Sequence, residues 1–184
     1  MKPPSVKLSR PELEAASWAF ALDIYARPGI ADACLQLQNR AGVDVMMFLT
    51  AAYAAVRHRI LLTLPEIREL DAACRPWREQ IVRPLRAIRE GLKAGPPPAP
   101  SSETEPFRSK IKSSELAAER LQNQLLADRL PLRPAERDAV NAEDLRSVLG
   151  RVVTFFLETR RDTPVADLRS SIEQIVEAAI QDTR

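Results

Sequence analysis

The stretch DVMMFLTAAYAAVRHR, residues 44–59, decides the class of fold. From Val45 to Val56 it carries no charge, and Val45, Met46, Met47, Phe48, Leu49, Tyr53 and Val56 leave almost no polar face on a 3.6-residue period. A helix apolar nearly all round is buried by other helices. Asp44 stands where a side chain accepts hydrogen bonds from the first free amides, and Arg57, His58 and Arg59 place cations at the electronegative end. The segment is therefore predicted as a central helix that the other elements surround. The run from Val43 to Val56 contains Asp44 and Thr50 and falls short of the ~18 apolar residues of a bilayer span, so no membrane association is expected.

Outward from this helix the chain reads as further helices punctuated by proline and glycine. Ser9 with Glu12, and Thr63 with Glu66, have capping-box spacing, and Pro11 and Pro65 lie in the first turns. The first helix should stop near Arg27, before Pro28 and Gly29. A short second helix, Ile30 to Ala41, should close on Gly42. The helix opened by Thr63 carries Ile67, Leu70, Ala73 and Cys74 and is expected to kink or split at Pro76. Beyond it Trp77, Ile81, Val82, Leu85, Ile88 and Leu92 continue the apolar stripe. Residues 94–106 are rich in proline and serine and read as a linker or exposed loop. A fifth helix is expected from Ser113 or Ser114 to Leu130, with Leu116, Leu121, Leu125 and Leu126. Asn141 can cap a helix through Phe155, Phe156 and Thr159, and Thr163 another with Val165, Leu168, Ile172, Ile175 and Ala179.

The expected fold is all-α, an orthogonal or irregular helical bundle with a C-terminal helical hairpin. Its expected parts are a core (1–95), a linker or loop (96–106), a helix returning to the core (107–134) and the hairpin (135–184). Two amphipathic helices cannot bury both faces alone, so the hairpin must dock in cis or form a homodimer via residues 141–182.

With 184 residues, 45% hydrophobic and 28% charged, the chain suits one domain or a domain plus an appendage. Its net charge of +2 provides no field that announces nucleic acid. The basic residues are nearly all arginine, with lysine only at 2, 7, 93, 110 and 112, a bias that a GC-rich genome explains. Cys34 and Cys74 fit reduced packing thiols, the N-terminus shows no secretory signal, and a cytoplasmic location is expected.

The segment Trp18 to Ile30 (WAFALDIYARPGI), then Ala33-Cys34-Leu35-Gln36-Leu37-Gln38 and Ala41-Gly42-Val43-Asp44-Val45, resembles a family of small proteobacterial proteins classed as a domain of unknown function. Pro84-Leu85-Arg86, Arg89 and the run from Glu115 to Arg120 extend the resemblance across roughly residues 12–130. The match departs after Val45, where Met46-Met47-Phe48 replaces an Asn-Leu-type continuation. The resemblance implies a cytoplasmic bacterial protein and carries over no residue role.

Chemistry is sparse. His58 is the only histidine, so neither a catalytic triad nor a zinc set can be assembled from sequence, and no glycine-rich phosphate loop occurs. No catalytic, cofactor-binding or metal-binding residues are assigned. Trp18, Tyr25 and Gln36 are the candidates for a small-molecule pocket between the first three helices, against a plain role in the core. Arg75, Arg78, Arg83, Arg86 and Arg89 form a strip with only Glu79 and Glu90 as nearby acids. Such a strip could contact an acidic protein surface or, as the alternative, RNA or a ribonucleoprotein. Missing catalytic groups and surplus amphipathic surface together suggest a non-enzymatic interaction or scaffold protein with an unidentified protein partner.

Overall fold

The computed structural model describes residues 8–135, 137–158 and 168–181. Among them the elements are α1 (Arg10–Tyr25), α2 (Ile30–Ala41), α3 (Val45–His58), α4 (Leu64–Trp77), a π-helical turn (Arg78–Val82), α5 (Arg83–Ala94), α6 (Glu105–Arg129), α7 (Ala142–Leu157) and α8 (Arg169–Gln181). The fold is all-α. Helix α3 lies at its centre: every residue from Met46 to Val56 is buried, and α1, α6 and α7 pack around it.

The predicted caps explain where α1, α3, α4 and α7 begin. The Glu12 carboxylate accepts from the Ser9 backbone N–H at 2.7 Å, Glu66 accepts from Thr63 N–H at 2.8 Å, and Asn141 accepts from Asp144 N–H at 2.9 Å. Asp44 accepts from Met47 N–H at 3.2 Å. Gly29 and Gly42 adopt φ of 79° and 67°, left-handed backbone that glycine takes without steric cost, so that Gly29 turns the chain into α2 and Gly42 closes it. The cap assigned to Thr163 lies outside the described residues.

Helices α7 and α8 dock in cis, α7 on α3 and α4, α8 on α2. Leu145, Val148, Leu149, Val152, Ile172, Ile175 and Ala179 join the same hydrophobic core as α3. The hairpin thus takes the cis alternative within one chain, and the described apolar faces that a homodimer via residues 141–182 would use are covered there.

Three other expectations change. Pro76 does not end a helix. The chain passes through it to Trp77 and then widens into the π-helical turn, whose extra residue per turn accommodates the missing N–H groups of Pro76 and Pro84 without a break. Helix α6 starts at Glu105 rather than Ser113 or Ser114. The Ser113 and Ser114 hydroxyls donate to the carbonyls of Ser109 and Lys110 one turn back, at 3.1 Å each, so these serines sit inside the helix. The stripe Leu116, Leu121, Leu125 and Leu126 does not face the core: only Leu126 is buried. The inward face of α6 is Glu115, Ala118, Gln122, Asn123, Leu126 and Ala127, and α5, its antiparallel neighbour, buries no residue fully.

Candidate functional site

Arg78 opens the π-helical turn and is 6% exposed. Its Nη1 lies 3.0 Å from Asp44 Oδ2 and 2.8 Å from Asp71 Oδ1, and its guanidinium carbon is 5.4 Å from the Phe156 ring centroid. Gln122 of α6 donates to Asp44 Oδ2, and Arg75 Nε donates to Asp71 Oδ2 at 2.7 Å. One charged seam thus ties the N-terminus of α3 to α4, α6 and α7. Burial disfavours the charge of Arg78, but Asp44 and Asp71 hold its pKa above the usual value. Arg78 approaches Asp71 Oδ1 off line, which leaves that oxygen without a well-aligned hydrogen bond. Beside the seam is an open cleft of about 270 Å³ that Arg75, Arg83 and Phe155 help to line. The seam holds no activated nucleophile: burial, and then the Asp44 charge, push the Cys74 thiol up to about 12, and burial does the same to Cys34.

A second cluster sits where α5 meets α6. Arg86 donates to Glu115 at 2.8 Å, to Glu119 at 2.6 Å and to Gln38 of α2 at 2.6 Å, while Arg89 pairs with the same Glu115. Burial opposes ionisation of Glu115, yet the two arginines hold its pKa below the ordinary value. Glu119 is shifted the other way, raised by burial that Arg86 only partly offsets.

These pairs correct the reading of the arginine strip as nearly uncompensated. Arg75 pairs with Asp71, Arg78 with Asp44 and Asp71, Arg83 with Glu79 at 2.7 Å, and Arg86 and Arg89 with Glu115. Glu79 is a local partner and Asp71 stands one turn before Arg75, but Asp44 arrives from α3 and Glu115 from α6, where a count between residues 75 and 93 could not find them. Asp71, Gln122, Glu115 and Glu119 were missed as partners for the same reason. A signal existed: Asp71 shares the spacing of Ile67, Leu70 and Cys74, and Gln122 that of Ala118 and Leu126, so both polar groups lie on inward faces.

The structure places Trp18 partly buried against the core, Tyr25 40% exposed at the end of α1, and Gln36 on the exposed side of α2, where it accepts from Ser171 at 3.5 Å. His58 ends α3 as expected but is half-buried, its ring 3.2 Å from the Tyr53 hydroxyl, and burial lowers its pKa. No group of three or more potential metal ligands occurs among the described residues, and none of their helices is long and apolar enough to cross a membrane.

The remaining feature is a surface. Ile81, Leu85, Ile88 and Leu92 follow one another at spacings of four, three and four along one flank of the π-helical turn and α5, opposite Arg86. Ile81, Ile88 and Phe107 of α6 are 36%, 48% and 52% exposed. Trp77 N–H donates to the Ala118 carbonyl at 2.9 Å, which seats the indole against α6.

The family model described as "Protein of unknown function (DUF2390)" matches residues 16–126, from the first turns of α1 to the last turn of α6. The chain belongs to this family. Both ion clusters, except for Phe156, lie inside the DUF2390 match, and α7 and α8 lie outside it. No curated protein and no solved structure matches the chain.

Proposed function

We propose that this DUF2390 protein is a non-enzymatic helical protein of the cytoplasm that binds another protein through the apolar flank of its α5–α6 hairpin. The observation that carries the reading is the exposure of Ile81, Ile88 and Phe107, on the π-helical turn, α5 and α6, beside arginines already spent on internal ion pairs. Burying the three side chains against a partner would remove apolar surface from water at about 25 cal/mol per Å², whereas a phosphate ligand would have to displace Glu115, Glu79 or Asp71 from each guanidinium. The paired arginines weigh against the RNA alternative, and no hydrogen-bonded pocket at Trp18, Tyr25 and Gln36 supports a small-molecule role.

The test is crosslinking and affinity capture from the native cell with the full chain and with Ile81→Glu/Ile88→Glu, both checked for helicity by circular dichroism. A partner recovered by the parent chain and lost by the folded variant supports the reading. Identical recovery from both, or recovery of RNA that declines with salt and with an Arg83/Arg86/Arg89 charge reversal, overturns it.

A further inference from the structure

The C-terminal half of α6 shows a different face from the flank just described. Two i, i+4 ridges run along it side by side: an apolar one, Ala117, Leu121 and Leu125, and a polar one, Arg120, Gln124 and Asp128. All six are exposed, with Leu121 at 50% and Leu125 at 36%. Between this face and the first turns of α1 runs a groove of about 500 Å³, bordered by Pro11 and Glu14.

Arg120 has a single ion pair, a loose one with Glu14 at 3.5 Å, and Asp128 has none among the described residues. The polar ridge therefore reads positive, neutral, negative, with Arg120 and Asp128 about 12 Å apart at 1.5 Å per residue. Turned about a two-fold axis through Gln124, the same ridge reads negative, neutral, positive. A two-fold interface requires this kind of self-complementarity, because one patch must meet itself.

We infer that this face binds a second copy of the chain, α6 against α6 antiparallel, with the axis at Gln124. Arg120 of each copy then faces Asp128 of the other, so the two charges left loose in one chain form two intermolecular pairs. Leu121 and Leu125 of the two copies meet across the axis, and the α1–α6 groove receives the overhanging side chains. The patch spans only about three turns, so the dimer belongs to the small class of interfaces and its affinity is expected in the micromolar range. The inference uses residues separate from the α5 flank and stands or falls without it.

Sedimentation velocity of the full chain from about 1 to 200 μM, a range that brackets a micromolar Kd, is the first measurement, and a reversible monomer–dimer equilibrium is expected. Leu121→Glu/Leu125→Glu should leave a folded monomer, since both side chains are exposed in one chain. Asp128→Arg should weaken association by about tenfold, and Arg120→Asp combined with Asp128→Arg should restore it, which a merely local role of Arg120 toward Glu14 would not do. Gln124→Cys should give a covalent dimer on oxidation, against a low background from the buried Cys34 and Cys74. A chain that stays monomeric throughout overturns the inference. So does a dimer that survives Leu121→Glu/Leu125→Glu or fails to crosslink at position 124.

Discussion

Helix α3 at the centre of the molecule and helix α6, which packs against it, are buried by opposite means. Helix α3 buries every side chain from Met46 to Val56, all of them small or apolar except Thr50, satisfied by the Met46 carbonyl at 2.8 Å, and Tyr53, whose hydroxyl lies 3.2 Å from His58. Helix α6 buries Glu115, Gln122 and Asn123 and turns Leu116, Leu121 and Leu125 to solvent. The difference follows from what faces each helix. Helix α3 meets the aliphatic stripes of α1 and α7, whereas α6 meets guanidinium groups from the π-helical turn and α5. A buried polar side chain is tolerable only with a partner: Arg86 and Arg89 supply one to Glu115, Gln122 shares Asp44 with Arg78, and Asn123 accepts from Ser17 and donates to the Glu14 carbonyl of α1.

The sharpest way to test this comparison is to remove one anchor from each helix. Arg78→Ala leaves Asp44 and Asp71 buried without their shared cation and should cost about 3–5 kcal/mol. Phe48→Ala in α3 opens a cavity and should cost about 3–4 kcal/mol, and urea unfolding of the two variants compares them directly. A loss under about 1 kcal/mol for Arg78→Ala would mean that the polar seam is not a core in its own right. Next in size, Gln122→Leu strips one donor from Asp44 and should cost about 1–3 kcal/mol in the same assay.

Acid titration separates the helices further. The Glu115 pKa lies below 4.5 in the folded chain, so its contribution is present above the unfolded value and is lost as pH falls through the lowered one. Glu115→Gln should flatten that acid limb of stability, measured by urea midpoints between pH 3 and 7, with Glu119, raised above 4.5, acting in the opposite sense. The smallest effect is expected at Leu116→Ala, where half the side chain is already wet and the unfolding free energy should change by less than about 0.5 kcal/mol.

Much of the fold could be read before any coordinates. Capping residues and glycines placed α1, α2, α3, α4 and α7, because those signals act within one turn of chain. The inward face of α6 was misread, since leucines were taken to point in and the polar residues out. The spacing of Ala118, Gln122 and Leu126 marks that face, but the leucine stripe competes with it, and only the guanidinia opposite, about 30 residues away in sequence, decide between the two. The arginine strip failed for a related reason. Its residues were visible, but their charges are balanced by Asp44 and Glu115, which only folding brings close.

The π-helical turn acts as a phase shifter between two helical registers. It holds one residue more than an α-helical path would need, and that residue rotates everything after it by about 100° around the helix axis. Removing Gln80 alone would leave one continuous α-helical path from Leu64 to Ala94, lacking only the N–H groups of Pro76 and Pro84, and Gln80 has no side-chain partner among the described residues to lose. It would nevertheless swing Arg86 and Arg89 off Glu115 and carry Ile88 around to a new side. The spacing between Arg78 and Arg86 is thus as binding on this fold as the identity of either arginine, and length changes within 78–86 should be far less tolerated than substitutions at Gln80.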